Sequence, residues 1–175
     1  VVYRGAVPFK KDRKCNLILS FRAVSAEVLE FKIRAIGGGV TQIEFPFSSP
    51  KDQPAFGFGE QFSYLDRKGH EFWMLVEEQG VGRGDPGVTF WAKLVGAAGN
   101  PYTTYCPIPF FFLDQNRAVS LDPGGPLHFD LTDSSLVWVK SSTNELSAEA
   151  GSQIKMGKMR LLNQSAVTTR LSTML

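Results

Sequence analysis

Val28-Leu29-Glu30-Phe31-Lys32-Ile33-Arg34-Ala35-Ile36 alternates apolar with charged residues, Leu29, Phe31, Ile33 and Ala35 being interleaved with Glu30, Lys32 and Arg34. A period of two sends successive side chains to opposite faces, so the stretch predicts a β-strand with one apolar face. Upstream, Cys15–Val24 repeats the pattern through Leu17, Leu19, Phe21 and Ala23; downstream, Gln42–Phe47 repeats it through Ile43, Phe45 and Phe47. Gly37-Gly38-Gly39 supplies the intervening turn, because residues without Cβ take positive φ at little cost. Three strands in meander order are expected.

Further out, short alternating segments recur at Phe56–Leu65, Glu71–Glu78, Val88–Val95, Thr103–Leu113, Arg117–Leu121, Leu127–Leu131 and Leu136–Lys140, separated by Gly, Pro, Asn or Asp. No helical pattern is read before residue 144. Strands at this spacing point to an all-β fold, an antiparallel two-sheet β-sandwich. Gly80–Gly87 carries four glycines and a proline and reads as a long functional loop. The sandwich is expected over residues 1–150. Residues 151–175 lack aromatics and form a tail, either frayed or folded as one short helix with Met159, Leu162 and Ala166 on a stripe.

At 175 residues the chain accommodates one domain, and 43% hydrophobic with 21% charged residues suits a packed core. A net charge of +2 makes no basic field, so nucleic acid is not an expected partner. The basic run Lys10-Lys11-Asp12-Arg13-Lys14 reads as a solvated loop. No apolar run is long enough for a membrane span, and the domain reads as soluble. The chain begins at Val1, which leaves room for a targeting segment upstream. Cys15 and Cys106 lack metal-ligand spacing and read as buried thiols, and His70 and His128 lie in separate segments, so neither a metal site nor a cofactor is expected.

The densest cluster of unusual residues is Gly57-Phe58-Gly59-Glu60-Gln61-Phe62-Ser63-Tyr64-Leu65-Asp66, followed by Glu77-Glu78-Gln79-Gly80-Val81-Gly82-Arg83-Gly84. The glycines let the backbone bend or approach something closely, and Glu60 and Gln61 then present a carboxylate and an amide, groups suited to sugar hydroxyls. A phosphate cradle would need a helix N-terminus and a lysine instead of an acid and a strand. The competing structural reading is a bulge plus a salt bridge. Glu60, Glu77, Glu78 and Asp85 are numerous enough for glycosidase chemistry, but no spacing forces two of them to face each other across a sugar. Trp73, Trp91, Tyr102, Tyr105, Phe110, Phe111, Phe112 and Trp138 would make a stacking platform, although most are expected in the core.

GFGEQFSYLDRKG (Gly57–Gly69), EEQGVGRG (Glu77–Gly84) and TTYCPIPFFF (Thr103–Phe112) together resemble the N-terminal β-sandwich domain of glycoside hydrolase family 31, nearest the sulfoquinovosidase-like branch of bacterial α-glucosidases. The resemblance implies a galactose-mutarotase-like super-sandwich that packs against a following catalytic (β/α)₈ barrel. It further implies that Glu60, Gln61, Glu78, Gln79 and Arg83 line or brace the substrate pocket. Both catalytic aspartates of that family lie in the barrel, which takes about 250 residues, so no catalytic residue is expected here and the isolated chain is expected to be inactive. Beyond Ser141 the likeness fades. Two other readings stand beside it: a free-standing carbohydrate-binding module, and a structural or regulatory product that binds a barrel or another protein.

Overall fold

A computed structural model of the chain describes residues 1–10, 13–60, 63–74, 76, 81–82, 85–113, 117–151, 160–162 and 169–170. It is an all-β sandwich of two antiparallel sheets with one short helix. The strands are β1 (Val2–Lys10), β2 (Arg13–Ala23), β3 (Val28–Ile36), β4 (Gln42–Ser48), β5 (Phe56–Gly57), β6 (Glu71–Met74), β7 (Phe110–Phe112), β8 (Ala118–Pro123), β9 (Leu127–Asp130), β10 (Leu136–Ser141), β11 (Glu145–Gly151), β12 (Arg160–Leu162) and β13 (Thr169–Arg170), with helix α1 (Pro86–Leu94) between β6 and β7. The first sheet runs β1-β2-β3-β11-β8-β7-β5 and the second β13-β12-β4-β10-β9-β6.

The alternation of β3 does what its pattern predicts: Phe31, Ile33 and Ala35 are buried while Lys32 and Arg34 face solvent. From the second sheet, Ile43, Phe45 and Phe47 of β4, Val137 and Val139 of β10 and Phe129 of β9 point back at them. Aromatic rings join the layers. Phe31 lies 5.1 Å from Phe45, Phe47 lies 6.0 Å from Phe111, and Phe111 lies 5.6 Å from Phe129, spacings at which edge-on and tilted rings attract beyond their area burial.

Several expectations are corrected. β4 does not continue a meander: it crosses to the second sheet, pairing with β10 and β12, and β3 takes β11 as its neighbour. Period two says which face of a strand is buried, and it leaves open which sheet the strand joins. Val88–Val95 is not a strand. Asp85 caps a helix there, its Oδ1 accepting from the Val88 N–H at 2.9 Å, and Pro86 starts the first turn, where a missing N–H costs nothing. The expected strands Phe56–Leu65 and Thr103–Leu113 shrink to β5 and β7: the first is broken by consecutive positive-φ residues, the second by Pro107 and Pro109, which cannot donate to a ladder.

Of the basic run, Lys10 ends β1 opposite Arg13 of β2, and Lys11 and Asp12 lie outside the described residues. No helix forms at the described positions beyond Gly151: Arg160–Leu162 pairs with β4 and Thr169–Arg170 with β12, while Met159 and Ala166 are outside the described residues. Cys15 is buried but Cys106 is exposed. Among the eight aromatics singled out, only Phe111 is fully buried; Trp73, Trp91, Tyr105, Phe110 and Phe112 are exposed, and Tyr102 and Trp138 half-buried.

Candidate functional site

The site grows from three consecutive residues at positive φ: Gly57 at 110°, Phe58 at 68° and Gly59 at 84°. A Cβ on Gly59 would stand 2.2 Å from the Cys106 carbonyl oxygen and 2.4 Å from the Ile108 nitrogen, so only glycine lets the two chains approach this closely. Hydrogen bonds lock the approach: the Phe58 N–H donates to the Phe110 carbonyl at 2.8 Å and the Glu60 N–H to the Cys106 carbonyl at 3.0 Å. Phe58 drives its ring into the core, stacked on Phe111 and edge-on to Phe72 and Phe129. Left-handed backbone at a non-glycine residue costs about 1–2 kcal/mol, which burial of a phenyl ring offsets. Glu60, the next residue but one, emerges exposed on this rigid turn.

Beyond the turn, the chain returns under it. The Asp66 carboxylate accepts from the backbone N–H groups of Ala55 (3.0 Å) and Lys68 (2.9 Å), and the Arg67 N–H donates to the Ala55 carbonyl. Arg67 is fully buried, its guanidinium 5.2 Å from the Phe72 ring centre and 5.4 Å from that of Tyr102. None of its three side-chain nitrogens has a hydrogen-bond partner among the described residues. Burial pushes its pKa down from the ordinary guanidinium value, with Tyr102 and Tyr64 opposing, and the cation persists on the faces of two rings. His70 stacks on Tyr64 at 4.2 Å, and its Nδ1 is 3.0 Å from the Tyr102 hydroxyl.

The first and third sequence motifs therefore meet, joined by the Glu60–Cys106 hydrogen bond and the Phe58–Phe111 stack. Val76, just ahead of the second motif, bridges to Thr104 of the third, and Val81, within the second, bridges to Ala98. Gly82 sits against the first turn of α1, where a Cβ would come within 2.6 Å of the Thr89 nitrogen. Of the expected pocket residues, Glu60 is exposed at the Gly57–Gly59 turn, whereas Gln61, Glu78, Gln79 and Arg83 lie outside the described residues. Next to this region α1 turns Val88, Phe90, Trp91 and Leu94 to solvent and buries only Ala92. Trp91 is 69% exposed. Sequence reasoning passed over Arg67 and the Tyr64–His70–Tyr102 group, because nothing local in Asp-Arg-Lys-Gly signals burial under distant rings.

No family model matches the chain. It is 34% identical over 87 residues to the sulfoquinovosidase of Escherichia coli (strain K12), a match spanning 49% of this chain and 13% of that enzyme. Over 101 residues it is 28% identical to the sulfoquinovosidase of Agrobacterium fabrum, spanning 57% of this chain and 15% of that one. In three dimensions it superposes on a GH31 family sulfoquinovosidase from E. rectale, solved with the aza-sugar inhibitor IFGSQ, with a TM-score of 0.71 at 19% identity over 84% of the chain. The chain resembles glycoside hydrolase family 31 domains. It also overlays a cycloalternan-forming enzyme from Listeria monocytogenes, solved with a pentasaccharide substrate, at a TM-score of 0.50 and 13% identity over 85% of the chain. The match takes in only 23% of the E. rectale family 31 structure and 15% of the Listeria one.

Proposed function

We propose that the chain is a non-catalytic, N-terminal β-sandwich domain of a retaining α-glycoside hydrolase of the α-glucosidase or sulfoquinovosidase type, packed against a catalytic (β/α)₈ barrel and lending its Glu60 loop to the sugar pocket. One observation carries the reading: the close backbone approach of Gly59 to Cys106 and Ile108 leads directly into the exposed Glu60, whose backbone N–H is bonded to the Cys106 carbonyl. A carboxylate on a rigid turn accepts hydrogen bonds from sugar hydroxyls without first losing loop entropy. The reacting acids come from the barrel in this arrangement, and Glu60 shapes or braces the rim, a role the family resemblance extends to Gln61, Glu78, Gln79 and Arg83.

The uncovered apolar side of α1 supports the same reading, since exposed patches of this kind mark surfaces built to meet another protein surface. Two measurements test it. The purified 175-residue chain should release no nitrophenol from nitrophenyl α-glucoside or α-sulfoquinovoside, and turnover that a Glu60→Gln change abolishes would overturn the proposal. The chain should also self-associate at low micromolar concentration through α1, and a Phe90→Ser/Trp91→Ser variant should stay monomeric.

A further inference from the structure

The outer face of the second sheet carries an arrangement that the Glu60 region does not account for. β4, β10, β9 and β6 lie side by side, and their registers set two rows across the sheet: Pro46, Trp138, Asp130 and Glu71 in one, Glu44, Lys140, His128 and Trp73 in the next. The inward neighbours Phe45, Val137, Val139, Phe129 and Phe72 are all buried, so strand alternation turns the rows outward, although Pro46 at the end of the first is itself covered. Between them, with Asp133 at one end, is an open cavity of about 340 Å³.

Its walls combine two kinds of surface. Trp138 lines the cavity and is half-buried; Trp73, 45% exposed, stands beside it with its ring 4.7 Å from that of His128. The two indoles are two strands and one two-residue step apart, about 12 Å between Cα atoms at ordinary sheet spacings, which matches the length of a short oligosaccharide. Around them the polar groups hold one another in place. Glu71 Oε1 lies 3.1 Å from His128 Nε2, and Glu44 Oε1 lies 3.8 Å from Lys140 Nζ. Asp130 Oδ1 accepts from the Thr132 N–H at 2.9 Å and hydroxyl at 2.6 Å, leaving Oδ2 as an acceptor, and Asp133 Oδ1 accepts from the Ser135 N–H and hydroxyl.

We infer that this cavity is a binding site for a neutral oligosaccharide, with Trp138 and Trp73 stacking on sugar faces and Glu71, Asp130 and Lys140 bonding hydroxyls. Four carboxylates against Lys140 and a histidine give the rim an excess of negative charge, so a sulfonated or otherwise anionic sugar is repelled. The bonds from the Ser135 N–H and hydroxyl hold the Asp133 carboxyl below its usual range, and burial pushes His128 down with Glu71 opposing, so at neutral pH Asp133 stays ionised and His128 serves as a neutral hydrogen-bonding group. The proposal uses residues separate from Glu60 and stands or falls apart from the reading above.

The test is titration of the full chain with maltotetraose and with isomaltotetraose in the presence of EDTA, followed by indole fluorescence and by the indole N–H signals in a proton–nitrogen correlation spectrum. Saturable binding in the millimolar range is expected, with the Trp73 and Trp138 signals shifting, at least a tenfold weakening in Trp138→Leu and no change in Glu149→Gln, an exposed position on the other sheet. Sulfoquinovose should not compete. Absence of saturable binding to both sugars overturns the proposal, as does saturable binding that leaves the Trp73 and Trp138 signals unmoved, or preference for the sulfonated sugar. The shift map on the unsubstituted chain keeps the test decisive should Trp138→Leu fold poorly.

Discussion

Phe58 lies flat on Phe111, ring centres 5.0 Å apart and planes 6° apart, while its backbone holds φ at 68°. The pairing couples a strained turn in one sheet edge to the centre of the core. Truncation to alanine removes a fully buried phenyl ring and should cost about 3–5 kcal/mol in urea unfolding. The glycine variant should be more stable than the alanine variant by about 1 kcal/mol, the reverse of the usual order, since glycine alone relieves the left-handed backbone. If Phe58→Gly unfolds more easily than Phe58→Ala, the strain is not there.

Gly59 and Gly5 make a matched pair. Alanine at Gly59 meets the Cys106 carbonyl at 2.2 Å in a left-handed conformation, whereas alanine at Gly5, in β1, meets nothing within 4 Å. Gly59→Ala should lower the melting temperature through a loss of more than about 1 kcal/mol, and Gly5→Ala should leave it level or raise it slightly. Equal effects would mean that the turn carrying Glu60 can shift freely.

Arg67 offers a test of buried charge. With no hydrogen-bond partner among the described residues, its cation is held by ring faces alone. Arg67→Met keeps the length of the side chain without the charge and should be within about 1 kcal/mol of the parent or more stable, while Arg67→Ala opens a cavity and should lose about 2–5 kcal/mol. Comparable losses in both variants would show that the guanidinium itself is needed.

His128 gives a pH dependence with a defined sign. Desolvation lowers its folded pKa from the ordinary 6.5, so as pH falls the unfolded chain takes up the proton first. This residue's contribution is fully present above pH 6.5 and is lost as pH drops below it toward the folded pKa. Urea midpoints measured from pH 7.5 down to 5 should fall less steeply in His128→Gln than in the parent. Identical slopes would assign the loss to other groups.

What the sequence discloses follows from which forces are local. Strands β2, β3, β4, β9 and β10 are legible because one buried face imposes period two on the residues themselves, as in Leu127, Phe129 against His128, Asp130. The outward rows were equally readable from that alternation, although their meaning needs the register between strands. Partnering is not local, so the crossing of β4 to the second sheet left no trace in its own residues. α1 was misread because Val88, Phe90, Ala92 and Leu94 also alternate; the Asp85-Pro86 start signal was present and should have outweighed them. At the site, Gly57 and Gly59 announce close approach, and Glu60 follows from them, whereas the burial of Arg67 depends on Phe72 and Tyr102 and is invisible beforehand.

The place of β11 has a consequence for biosynthesis. Ala148 joins Phe31 on one side and Leu121 on the other, so the last-made long strand is the keystone between the two halves of its sheet. While the ribosome has yet to deliver residues 145–151, the nascent chain displays two unsatisfied edges, β3 and β8, each able to recruit a foreign strand. Chaperone demand should peak at that point of translation, and release ahead of Glu145 should yield inclusion bodies.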